Sequence, residues 1–193
     1  TRLVFDEFFQ FTLALQALKE KKTDWNNEYI IREKQECESF IKELPYALTN
    51  AQLKVWKEIK ADITGPSTMN RLIQGDVGSG KTILAALALL MTALNGYQGS
   101  LMVPTEVLAK QHYESLTGLF SGYGVNAILL VGSMTAAEKR KAYEKIKNHE
   151  ADVIVGTHAL IQEKVEYDNL ALAITDEQHR FGVRQREALS GKG

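Results

Sequence analysis

The period of the hydrophobic positions changes near residue 45. Before it, Val4, Phe8, Phe11, Leu15 and Leu18 recur at alternating spacings of four and three, the stripe of an amphipathic helix. Lys19, Lys21 and Lys22 then fall where cations suit a helix C-terminus, and the polar stretch 23–27 breaks the pattern. A second helix is predicted with Ile30, Cys37, Ile41 and Leu44 on one face, ending at Pro45. Residues 1–44 therefore read as a helical extension, with its phenylalanines expected to pack against a main domain. From Pro45 onward, short apolar runs alternate with longer helical patterns. Strands are predicted at 71–74, 100–103, 125–131, 152–155 and 170–175, and helices at 51–62, 81–95, 106–120 and 136–148. The strand runs are almost continuously apolar, as in strands buried on both faces. Thr135-Ala136-Ala137-Glu138 is a capping-box start for the last of these helices. Such alternation implies an α/β fold over residues 45–193, a mainly parallel sheet flanked by helices. Ligands of such a sheet sit at the C-terminal ends of its strands.

Between the first predicted strand and the helix at 81–95 lies Gly75-Asp76-Val77-Gly78-Ser79-Gly80-Lys81-Thr82. It fits the phosphate-binding spacing G-x-x-x-x-G-K-[ST]. Glycine lets successive backbone N–H groups curl around phosphate oxygens without an intervening Cβ. The following helix presents unsatisfied N–H groups and its positive dipole end to the same anion. Lys81 is expected to reach the β- and γ-phosphates of ATP, and the Thr82 hydroxyl to ligate Mg²⁺. The run at 170–175 leads directly into Asp176-Glu177. That places two carboxylates at the strand end: Asp176 to hold Mg²⁺, Glu177 to orient and deprotonate the attacking water. An acidic pair can also merely terminate a strand; the phosphate loop is what favours the hydrolytic role. His179 stands beside the pair and suits a coupling role, although a loop histidine is commonly just solvated. Upstream, Gln52 carries an amide donor and acceptor in one plane, which suits adenine N6 and N7. Thr49 and Gln52 also have capping-box spacing, so both roles stand open.

Composition narrows the classes. Of 193 residues, 45% are hydrophobic and 24% charged, ordinary globular values, and the length suits one domain plus an appendage. The net charge of −1 gives no global electrostatic footprint for nucleic acid, so any DNA contact must be local. One cysteine, Cys37, excludes an internal disulfide framework and a cysteine-rich zinc site, consistent with a cytoplasmic protein. The longest apolar run, 83–94, is too short to span a bilayer, so no membrane partner is expected.

With these residues in hand, the chain resembles the superfamily 2 helicases, and within them the RecG family. Asp176-Glu177-Gln178-His179 looks like motif II, and Thr49 with Gln52 like a Q motif. The string 103–109, beginning Val103-Pro104-Thr105, looks like motif Ia, and 155–160, with Gly156-Thr157-His158, like motif Ib. The longer strings 72–82 and 179–186 are similar to RecG in particular, and the opening 3–9 looks like the helix that follows its wedge domain. The resemblance implies a RecA-like first motor domain in which ATP hydrolysis drives translocation on double-stranded DNA and remodelling of stalled forks and Holliday junctions. It also implies that Pro104, Thr105, Gly156, Thr157 and His158 touch the DNA backbone, which hydroxyl and turn N–H groups can do without net charge. Thr105 equally suits a helix N-cap.

The family pattern includes a wedge domain, motif III and a second motor domain carrying an arginine finger. None of these lies within residues 1–193, and both chain ends look like cuts in a larger protein. The piece alone is therefore expected to hydrolyse ATP negligibly and not to unwind DNA. Two other functions fit parts of the chain: a small-molecule or nucleotide kinase, which leaves Gln178-His179 without a task, and a non-catalytic nucleotide-binding or interaction module built on the N-terminal helices.

Overall fold

A computed structural model describes residues 27–75 and 79–176. Helix α1 spans Gln35–Glu43, α2 Asn50–Ile63, α3 Lys81–Leu94, α4 Glu106–Leu119 and α5 Ala136–Lys147. Strands β1 Gln98–Met102, β2 Ala127–Leu130, β3 Val153–Gly156 and β4 Leu170–Thr175 form one parallel sheet in the order β2-β3-β1-β4. A 3₁₀ turn, His158–Ile161, follows β3. The helix starts follow from their caps. Thr49 and Gln52 close a capping box on α2, Thr135 and Glu138 close one on α5, and the Thr105 hydroxyl accepts the Leu108 N–H on α4.

The predicted strand at 71–74 is not a strand among the described residues. Arg71 instead donates to Asp62 and Glu58 of α2 at 2.7 Å each, and Leu72 is 64% exposed. Two apolar side chains in four residues, with an arginine drawn to a helix, carry little strand preference. Ile30 also differs from expectation. It precedes α1 and is 70% exposed, whereas Phe40 joins Cys37 on the buried face. The stripe of Val4, Phe8, Phe11, Leu15 and Leu18 lies outside the described residues.

Two apolar clusters occupy the two faces of the sheet, as strand alternation requires. Leu101, Val153, Val155 and Leu172 point to the face covered by α2, α3 and α4, where Trp56, Leu87, Leu90 and Leu116 fill the core. Met102, Leu130 and Ile154 point the other way, onto Ala142 and Ile146 of α5 and onto Leu160. Ile31, Cys37 and Phe40 belong to the first cluster, so the described part of the predicted extension shares the main core. Burial pushes the Cys37 thiol up to about 11; it stays protonated and packs as a small apolar group.

Polar side chains are also built into this interior, Thr92, Gln98 and Ser100 among them. Gln98 is fully buried at the start of β1; its amide N–H groups donate to the Ile146 and Ala151 carbonyls, each at 2.9 Å. Its oxygen accepts the Asp168 and Asn169 N–H groups at 2.9 and 3.2 Å. Four backbone groups from two connections thus close on one amide. Gln98→Leu keeps the volume but strands those groups, and is expected to lower stability by about 2–4 kcal/mol in equilibrium urea unfolding. A loss below about 0.5 kcal/mol, the scale of a neutral surface change, would show that water replaces the amide.

Candidate functional site

The strand register aligns the ends that matter. Met102 of β1 pairs with Gly156 of β3 and Thr175 of β4, and Leu130 of β2 pairs with the same Gly156. The residues immediately after these strands therefore emerge along one edge of the sheet: Pro104-Thr105, Thr157-His158 and Asp176. Helix α3 has 14 residues, about 21 Å by its rise. It packs on β1 and β4, and its C-terminal end leads through Asn95-Gly96-Tyr97 into the start of β1. It therefore runs opposite to the strands, and its first turn, with Lys81, lies towards the edge that carries Asp176.

At that first turn the loop is folded on itself. Gly80 takes the N-cap position with φ 78°, a left-handed conformation that favours glycine. A Cβ on Gly80 would lie 2.1 Å from the Gln52 side-chain nitrogen, and one on Gly75 would lie 2.8 Å from Ser79 Oγ. Lys81 Nζ donates to the Gly75 carbonyl at 2.7 Å and stands 3.4 Å from Ser79 Oγ. Thr82 is exposed. Asp76, Val77 and Gly78 lie outside the described residues.

Gln52 is held at both ends. Its oxygen accepts the Thr49 N–H at 2.8 Å, completing the cap, and its nitrogen donates to the Ser79 carbonyl at 3.0 Å. The capping role is therefore present, and the same side chain braces the phosphate-loop sequence against α2. Pairing with adenine would require the amide nitrogen to exchange its Ser79 bond for the base.

Asp176 follows β4 and donates its N–H to the Met102 carbonyl at 2.9 Å. Its carboxylate is 3.5 Å from His112 Nε2 on α4. His112 was not singled out in the sequence because its partner is 64 positions away and no local pattern marks it. Glu177 and His179 lie outside the described residues.

Along the same edge, Thr105 is exposed and caps α4, Gly156 and Thr157 are buried, and His158 is exposed. A Cβ on Gly156 would sit 2.1 Å from the Leu130 carbonyl oxygen, so this glycine is required by strand packing whatever else it contacts. Glu106 accepts from the Ser133 N–H at 2.9 Å and from its hydroxyl, tying the start of α4 to the turn after β2. Those bonds hold the Glu106 carboxyl below the usual carboxylate range.

No helix among the described residues is long and apolar enough to cross a membrane. The geometry suits a nucleoside triphosphate with its metal. Two glycines stand where a Cβ would strike Gln52 and Ser79 and disturb the loop, a lysine and a hydroxyl open a helix, and a carboxylate ends the adjoining strand.

The chain is similar to known proteins. A family model for DEAD/DEAH box helicases matches residues 49–191. The ATP-dependent DNA helicase RecG of Bacillus subtilis is 50% identical over 100% of this chain, which covers 28% of that protein. RecG of Streptococcus pneumoniae is 51% identical, with the same 100% and 28% coverage. A solved structure of RecG bound to a three-way DNA junction superposes with a TM-score of 0.84 at 45% identity, over 94% of this chain and 25% of that one. The chain thus spans 28% of the length of each of these two curated relatives.

Proposed function

The chain belongs to the DEAD/DEAH box helicase family, and on that premise we propose that it is the first RecA-like motor domain of an ATP-dependent DNA translocase acting on branched DNA. The observation that carries this is the shared sheet edge: the Lys81 end of α3, Asp176 and the Thr105 end of α4 all lie there. A nucleotide site and a nucleic-acid site on one edge are what coupling requires. The likeness to RecG, including a structure bound to a three-way junction, supports stalled forks and Holliday junctions as the substrate class, in recombination and repair in the cytoplasm. The domain limits proposed are 1–44 for the extension after a wedge domain and 45–193 for the motor domain.

Within the site, the phosphate loop Gly75 to Thr82 cradles the phosphates with main-chain N–H groups and the Lys81 ammonium. Thr82 and Asp176 hold Mg²⁺, which when bound offsets charge on the phosphate oxygens. Glu177 orients the attacking water and takes its proton, and His179 relays the state of the site to the neighbouring strands. Gln52 reads the adenine edge. Pro104, Thr105, Gly156, Thr157 and His158 meet the DNA backbone through hydroxyl, imidazole and turn N–H groups.

Completion of the site needs a second RecA-like domain with an arginine, worth about 10³- to 10⁵-fold in turnover. The isolated chain is therefore expected to bind a fluorescent ATP analogue with negligible hydrolysis, while the full-length protein shows ATPase activity stimulated by junction DNA. Turnover by the isolated chain near that of the full-length protein refutes the need for a partner domain. Gln52→Glu tests the adenine role. It retains the cap acceptor but loses the amide donor, so the full-length variant is expected to lose its preference for ATP over GTP. Unchanged ATP selectivity assigns Gln52 to capping and loop bracing alone.

A further inference from the structure

His112 and Asp176 bring together two segments that the sequence keeps far apart. His112 lies two turns into α4, on the same face as the capping residue Thr105, since seven residues return a helix to within about 20° of its starting direction. Its side chain is only 15% exposed, against 38% for Asp176. The Asp176 main chain is also fixed to this unit, through its N–H bond to the Met102 carbonyl at the end of β1. Backbone and carboxylate of Asp176 are thus both held by the β1–α4 segment, the one that presents Pro104 and Thr105 at the sheet edge.

We propose that His112 is a positioning residue: it aims the Asp176 carboxylate for its metal and transmits movement of the Thr105 end of α4, on DNA contact, to that carboxylate. The proposal rests on the motor reading above. At 3.5 Å the imidazole nitrogen is in ion-pair range but longer than a direct hydrogen bond. Such contacts commonly tighten once the substrate complex forms. A carboxylate has a second oxygen with which to meet a metal or its water, so a donor on one oxygen restricts rotation without removing the ligand. The neighbouring turns of the same helix are rigidly packed, with Ala109 and Leu116 fully buried, so displacement at Thr105 moves His112 with it rather than bending the helix between them.

The test compares His112→Gln with His112→Asn in the full-length protein. The glutamine amide nitrogen reaches about as far as imidazole Nε2, whereas the asparagine amide stops short of Asp176; both are polar and uncharged. The readouts are ATPase kcat and KM with and without junction DNA, and the Mg²⁺ concentration that half-saturates binding of a fluorescent ATP analogue. His112→Asn is expected to raise that Mg²⁺ concentration about tenfold and to lower DNA-stimulated kcat about tenfold, the usual scale for a residue that orients a metal ligand. The KM for ATP at saturating Mg²⁺ stays near wild type. His112→Gln is expected to restore both. Equal behaviour of the two variants, whether both active or both impaired, overturns the proposal. Absence of DNA-stimulated ATPase activity in the wild-type protein overturns the motor reading instead.

Discussion

Lys81→Ala in the full-length protein is expected to reduce DNA-stimulated ATP turnover about a thousandfold, or roughly 4 kcal/mol of transition-state stabilisation. Its thermal unfolding is expected to stay within about 2 °C of wild type, since Lys81 is half-buried and lies outside the apolar core. The structure separates the two effects. Lys81 opens α3 but contributes nothing to the apolar core that the rest of that helix builds, from Ile83 to Ala93. Its contacts include the loop itself, at the Gly75 carbonyl and Ser79 Oγ. A cation placed there can transfer to phosphate oxygens without disturbing packing. Steady-state ATPase assays with junction DNA, paired with a thermal melt, measure both quantities. Turnover within tenfold of wild type removes Lys81 from the catalytic assignment, and with it the reason to prefer a motor over a non-catalytic nucleotide-binding module.

Gly156→Ala is the second large effect, and it acts first on the fold. The added methyl would overlap the Leu130 carbonyl oxygen at 2.1 Å and press on Leu160 at 3.0 Å. Leu130 and Gly156 are register partners, so relief requires β2 and β3 to separate where both are buried. A backbone oxygen in a ladder cannot swing aside as a side chain can. The expected loss is about 3 kcal/mol or more, beyond ordinary overpacking, lowering Tm by about 10 °C for a domain of this size. Binding of junction DNA by the full-length variant, measured below its melting temperature, then separates the contact role. Wild-type affinity in a destabilised variant assigns Gly156 to packing. Lost affinity with wild-type melting assigns it to the DNA backbone.

The starts of α2, α4 and α5 were legible because each rests on neighbours in sequence. Thr49 with Gln52, Thr105 with Leu108 and Thr135 with Glu138 all close within three residues. The strands β1, β3 and β4 were legible within two residues because each carries a short apolar run, although β1 opens on Gln98-Gly99-Ser100 and β4 is only partly buried. The predicted strand at 71–74 failed for the converse reason. Its short pattern competes with Glu58 and Asp62, which hold Arg71 from α2. Ile30 failed because a residue five positions before a helix can match its period without sharing its face.

The order of elements from α3 to β4, the parallel α/β class and the phosphate-binding spacing of Gly75 to Thr82 were determined by sequence alone, through interactions spanning a few residues and a periodicity of two or 3.6. Tertiary structure decided which strand ends share an edge, and what else meets there. The Gln52 bond to Ser79, the four bonds of Gln98 and the approach of His112 to Asp176 join residues 27 to 71 positions apart. Such pairs leave no local signature, because the free energy that selects them belongs to the packed sheet and not to either segment on its own.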